Sequence, residues 1–140
     1  MDLIVTGRAI IAGSATGLLL VSTVPISFWG GVHPTTGEII DQRHDRCGAS
    51  VAGRIFAFPD EIGSSTASAV LLELIRIGKA PAAIITVHRT PILALGAIVA
   101  EKLYGQVLPI LQISDTSFGE LRDSERVRIL EDGTLYRLDD

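Results

Sequence analysis

The chain has 140 residues, 47% of them hydrophobic and 20% charged, with a net charge of −4. That length gives one domain with a core needing no covalent staples, and the hydrophobic share excludes disorder. The acidic balance argues against a nucleic-acid footprint, and the single cysteine excludes a disulfide framework or a zinc or iron–sulfur site built from this chain's thiols alone.

No apolar run approaches the roughly eighteen residues of a membrane span. The longest candidate, Leu18 to Val24, is interrupted by Ser22 and Thr23 and stopped by Pro25. Met1-Asp2-Leu3 lacks the basic start of a signal peptide. The expectation is a soluble cytoplasmic protein with no membrane contact. Its mean hydropathy of +0.41 is high for that class, which fits a dense core or an apolar surface that meets a partner.

The first 60 residues suggest β structure punctuated by glycine. Strands are expected over Leu3–Val5, Ala9–Ala12, Leu18–Val21, Ile39–Ile40 and Ala52–Phe58, with a loop from Gly13 to Gly17. The stretch Pro25–Glu38 is too rich in glycine and proline for a helix. Asp41 to Gly48 is polar. From Ser64 to Ile77, apolar residues at Ala67, Val70, Leu71, Leu74 and Ile77 have helical spacing, with Gly78 as the stop. Ala82–Val87 is a continuous apolar strand. Pro91 opens a second helix through Ile92, Leu95, Ile98, Val99 and Leu103, closed by Gly105. Val107–Ile113 is a strand near an edge or bulge because it contains Pro109. A short turn or helix at Phe118–Leu121 precedes a hairpin of Val127–Leu130 and Leu135–Leu138 around Asp132-Gly133. Strand–helix–strand crossovers imply parallel pairing, so the class is a layered α/β domain with mixed sheets.

The best local candidate for chemistry is Ile62-Gly63-Ser64-Ser65-Thr66-Ala67-Ser68, between a strand and a helix. Unpaired amides at a helix N-terminus carry partial positive charge, so such a turn binds phosphate or carboxylate. The same amides lower the cost of an alkoxide at a serine. Plain helix capping is the alternative. A second candidate is the loop Ser27 to Gly37, where Gly30 and Gly31 follow the only tryptophan, Trp29; its alternative is a tight turn with an anchoring aromatic. His33, His44 and His88 show no metal-ligand spacing. His44 is the best of them, because Asp41, Arg43, Asp45 and Arg46 surround it. Cys47 is a candidate thiol, and Arg43, Arg46 and Arg54 are candidates for recognising a carboxylate or phosphate. No serine has a base beside it in sequence, so the chain suggests half of an active site.

Gly7-Arg8-Ala9 with Gly13, the block Pro25-Ile26-Ser27-Phe28-Trp29-Gly30-Gly31-Val32-His33-Pro34-Thr35-Thr36-Gly37-Glu38-Ile39-Ile40-Asp41, the turn Gly63-Ser64-Ser65-Thr66-Ala67-Ser68 and Gly96-Ala97-Ile98-Val99-Ala100-Glu101 together resemble the small subunit of aconitase X. The resemblance runs in order from about residue 3 to residue 113. It implies the swivelling β/β/α fold of the mobile aconitase domain, as one domain over residues 1–140. It also implies a large-subunit partner that carries the cysteines for an iron–sulfur cluster, none being bound by this chain, and removal of water from a small hydroxy acid. Carried over residue by residue, it makes Ser64 the base that takes the α-proton. Gly63, Ser65 and Thr66 would bind the substrate's anionic group, and Gly30 and Gly31 would lie in a glycine loop that closes over the site.

The chain departs from the family pattern at His44-Asp45-Arg46-Cys47-Gly48, where His-Pro is usual, and at His88-Arg89-Thr90-Pro91, where an acidic residue is usual. The resemblance implies two substrates, cis-3-hydroxy-L-proline in bacterial members and 5-phosphomevalonate in archaeal ones. Ten arginines against two lysines favour the first. A non-catalytic module of the same fold that binds an anionic metabolite, and a self-sufficient serine enzyme, are the competing classes.

Overall fold

A computed structural model describes residues 1–138. Eight strands run as β1 (Asp2–Thr6), β2 (Arg8–Ile11), β3 (Ala15–Val21), β4 (Ile55–Phe58), β5 (Ala83–Thr86), β6 (Ile110–Gln112), β7 (Arg126–Ile129) and β8 (Thr134–Arg137). The helices are α1 (Phe28–Gly31), α2 (Thr66–Ile77), α3 (Pro91–Tyr104) and α4 (Asp115–Phe118). The spatial order of strands is β1-β8-β7-β3-β4-β5-β6-β2.

The long strand β3 joins two halves. Its first residues, Ala15 to Leu18, pair antiparallel with β7, and Leu19 to Val21 pair parallel with β4. β4, β5 and β6 continue in parallel through the crossovers α2 and α3, and β2 closes that edge antiparallel to β6. Alternation along the central strands separates two cores. Phe56, Phe58 and Ile84 face a helix-side core with Leu71, Leu74 and Leu93. Ile55, Ala57, Ala83 and Ile85 face a second core with Val127, Ile129 and Leu135 from the β7–β8 hairpin. The layers are therefore sheet, sheet, helices. Residues such as Ile55 and Phe56 are completely buried because the central strands are covered on both faces.

α2 and α3 end where the sequence predicts, but α2 starts at Thr66, two residues after the expected Ser64, and the short helix is Asp115–Phe118 rather than Phe118–Leu121, because Ser114 accepts from the Ser117 amide and sets the start of that turn. Gly78 and Gly105 take left-handed conformations at the two C-termini, and Pro91 stands in the first turn of α3. Gly96 lets the helices touch: a Cβ there would stand 2.8 Å from the Ser68 carbonyl oxygen of α2. Ser68 fastens the same crossing by donating to the Ile92 carbonyl at 2.6 Å.

The expected strand Val107–Ile113 is shorter, β6 starting at Ile110 just after Pro109, which has no amide to donate, and four other expectations need correction. β3 begins at Ala15, inside the expected Gly13–Gly17 loop, because Ala15 to Gly17 find antiparallel partners in the distant β7. Ile39–Ile40 is not a strand; Ile39 forms an isolated bridge to Val32 and Glu38 one to Ser50. Ala52 to Arg54 is a turn, so β4 starts only at Ile55. Within Pro25–Glu38, Phe28–Gly31 closes one helical turn, distorted by Trp29 and Gly30. Among the described residues, no helix is long and apolar enough to cross a membrane.

Candidate functional site

The parallel strands β3, β4, β5 and β6 end on one edge of the sheet, the edge where open α/β sheets hold ligands. The segment leaving β4 carries Glu61, Gly63 and Ser64 into α2. The loop leaving β3 returns beside it: Ile26 forms a parallel bridge to Glu61, and the Ile62 amide donates to the Ile26 carbonyl at 2.9 Å. Phe28 anchors that loop in the helix-side core, its ring 6.3 Å from Phe56 and 6.5 Å from Phe58. The turn α1 then packs against α2. The fold thus brings the glycine loop and the serine turn together, although 34 positions separate Gly30 from Ser64.

Ser65 occupies the cap position of α2 without a side-chain capping bond. Among the described residues, the hydroxyls of Ser64, Ser65 and Thr66 make no hydrogen bond, and the amides of Gly63 to Thr66 have no backbone acceptor. The first helical bonds are those of the Ala67 amide to Ser64 and the Ser68 amide to Ser65. Four amides at the positive end of a twelve-residue helix are therefore free for an anion. The capping alternative for these serines has no support in their bonding. Ser64 is half-buried, and Ser65 and Thr66 are exposed.

Gly30 adopts a left-handed φ of 78°, and a Cβ there would meet nothing within 4 Å, so its backbone faces open space. Gly31 is buried. The anchoring aromatic of this turn is Phe28; Trp29 is 59% exposed.

Glu61 is a residue that sequence reading missed. Its two carboxylate oxygens accept the Ile92 and Leu93 amides at 2.9 and 3.1 Å, capping α3 from the segment that carries Ser64. Burial pushes its carboxyl above the ordinary value, against the pull of those two amides. Thr90, at the cap position of α3, is left with no capping role. The hydroxyls of Thr86 and Thr90 are both buried without a partner. The only hint in the sequence is a carboxylate placed two residues before the glycine of the turn.

No serine has a base beside it in sequence, but folding brings His44 to Ser22. Its Nε2 lies 3.2 Å from Ser22 Oγ, and its Nδ1 lies 3.2 Å from Asp45 Oδ1. The bonding runs the wrong way for a nucleophile. The Arg46 amide donates to Nδ1 at 3.0 Å, so the neutral ring carries its proton on Nε2 and donates toward Ser22. Ser22 in turn donates to Asp45 at 2.7 Å. Burial lowers the His44 pKa and prevails over the nearby Asp45 and Asp41 charges. Ser22 is fully buried, so the cluster is a cross-link between the end of β3 and the 41–46 loop.

Two arginine candidates are also spent structurally. Arg46 donates to the Val21 carbonyl and pairs with Asp123 at 3.2 Å, and Arg54 donates to the Leu18 and Leu19 carbonyls. Arg43 is exposed, His33 accepts from the Thr35 amide in its own turn, and Cys47 is an exposed free thiol. Among the described residues, no group of three or more His, Cys, Asp or Glu gathers as for a metal.

Residues 4–136 match the family model for the aconitase X swivel domain. The chain is 48% identical over 132 residues to cis-3-hydroxy-L-proline dehydratase of Pseudomonas aeruginosa, covering 94% of this chain and 22% of that protein. It is 44% identical over 134 residues to the phosphomevalonate dehydratase small subunit of Thermococcus gammatolerans, covering 95% of this chain and 96% of that one. Against the crystal structure of Thermococcus kodakaraensis aconitase X in its holo form, the TM-score is 0.85 at 37% identity, covering 98% of both chains. The chain thus spans about a fifth of the hydroxyproline dehydratases and nearly all of that phosphomevalonate dehydratase small subunit.

Proposed function

The chain belongs to the aconitase X swivel-domain family, and from that premise we propose that it is the small subunit of a cytoplasmic dehydratase, one swivel domain over residues 1–140, completed by a large subunit. The observation that carries the reading is the bonding at the Gly63–Thr66 turn: four amides without acceptors beside a serine hydroxyl without a partner. Serine is a weak base at its ordinary pKa. It becomes usable where amides and a helix dipole stabilise its alkoxide in a site closed to water. Ser64 Oγ takes the α-proton of a small hydroxy acid. The electron pair of that C–H bond forms the double bond as hydroxide leaves the neighbouring carbon, a net loss of one water. The amides of Gly63, Ser65 and Thr66, with the two side-chain hydroxyls, hold the anionic group. Gly30 and Gly31 let the loop close over it.

We assign the iron–sulfur cluster of the family to the large subunit, as the family resemblance implies; the single cysteine of this chain, Cys47, is an exposed free thiol. The partner's docking face includes the outer side of α3. Leu95 and Ile98 are 56% and 44% exposed there, on a helix whose opposite side is buried.

The substrate assigned is cis-3-hydroxy-L-proline, supported by the 48% identity to a protein named for that reaction. A second reading, 5-phosphomevalonate, is favoured by the near-complete coverage of small subunits named for it. The test offers both substrates in parallel to the chain co-purified with its large subunit. Turnover of the hydroxyproline alone is expected. Turnover of phosphomevalonate alone selects the second reading. Saturable binding of a substrate without turnover, in a complex with a filled cluster, establishes the non-catalytic module instead.

A further inference from the structure

A small cavity of about 160 Å³ opens beside the N-terminus of α3, at the same strand edge as Ser64 but toward the sheet's β2 border. Its lining is more apolar than polar: Ile10, Ala94 and the Thr90 side chain, whose hydroxyl is buried away from the surface, stand with Arg8 from β2, Arg89 from the turn into α3 and Gln112 from β6. Arg8 and Gln112 also line an adjoining groove of about 630 Å³ that reaches His88 and Ser114.

Three features of this wall converge. Among the described residues, neither Arg8 nor Arg89 has an ion pair, although the chain is acidic overall. No carboxylate lines the cavity. Gln112 is held by its Nε2 bond to the Val87 carbonyl at 2.9 Å, which fixes its side chain in the wall. Two arginines that line one recess bring it side chains of the type that bonds an oxyanion by charge-assisted, often bidentate hydrogen bonds. At about 30 Å³ per water the recess holds about five waters, a fit for one carboxylate or phosphate group rather than a whole cofactor.

We propose that the Arg8–Arg89 cavity is an oxyanion-binding site separate from the Ser64 turn, taking the carboxylate or phosphate group of a small acid. The proposal does not depend on Ser64 acting as a base.

The full chain, labelled with ¹⁵N, is titrated with inorganic phosphate and, separately, with acetate, following the arginine Nε–H and Gln112 side-chain amide resonances. Saturable shifts at Arg8, Arg89 and Gln112 are expected with at least one anion. Phosphate alone assigns a phosphate group, acetate alone a carboxylate, and both together a general oxyanion site. Arg89→Gln and Arg8→Gln, at exposed positions that leave the fold intact, should each weaken binding about tenfold or more. Chloride at matched ionic strength should give no saturable shift. Absence of saturation with both anions, or shifts that persist unchanged in Arg89→Gln, would overturn the proposal.

Discussion

Ser22 and Ser64 stand at the same edge of the sheet, and their surroundings give them opposite uses. Ser22 is enclosed between a neutral imidazole and a carboxylate, so its proton is committed to Asp45. Ser64 has no such commitment. The His44 cluster makes stability depend on pH. Burial holds the His44 pKa below 6.5, so its contribution is complete above that value and is lost as pH falls through the lower folded value. Burial opposes the Asp45 charge, but hydrogen bonds from Thr23 and Ser22 outweigh it and depress the pKa, so its share is present above 3.8 and lost in stronger acid. Melting temperature measured against pH should therefore fall in two stages, and His44→Gln should lose the upper one. Glu61→Ala should cost about 1–3 kcal/mol in denaturant unfolding by leaving two helix amides uncapped, with Glu61→Gln costing less. An undiminished stability in Glu61→Ala would show that α3 does not need this cap. These residue-scale features were the least legible in the sequence. Ser22 and His44 are joined only by folding, and a capping carboxylate that comes from another element leaves no local pattern.

At the scale of elements, the crossovers β4-α2-β5-α3-β6 were legible because apolar spacing, Gly78, Gly105 and Pro91 all agree. What local patterning missed depended on distant partners. Ala15 to Gly17 become strand only because β7 is there to pair, and Ile39–Ile40 lacks a neighbour long enough to make a ladder. The contact of α2 with α3 rests on Gly96, whose missing side chain lets the Ser68 backbone approach. Gly96→Ala forces a Cβ against a carbonyl that cannot swing away. It should destabilise the fold by about 1–3 kcal/mol despite the better helix propensity of alanine. Chemical denaturation checks this, and a neutral or stabilising result would mean that the helices can separate freely.

For the whole molecule, the glycine loop and the serine turn converge because Phe28 is buried against Phe56 and Phe58 while Ile26 bridges to Glu61. Both segments were legible as site candidates from their own residues, the serine turn opening a helix and the adjacent glycines after Trp29, and the resemblance added to that; their proximity needed the fold. The high hydropathy has two sources, a core on each face of the central strands and exposed apolar side chains on α3. Leu95→Glu with Ile98→Glu should abolish association with the large subunit in size-exclusion chromatography, while the isolated chain keeps its melting temperature. The central claim is that this chain contributes the base. Its most direct test is the turnover number of the two-subunit enzyme carrying Ser64→Ala, at cluster content and substrate affinity matched to the wild type. Removal of a positioned general base predicts a loss of about 10²–10⁴-fold. Turnover within a few-fold of the wild type would contradict the claim and move the base to the large subunit.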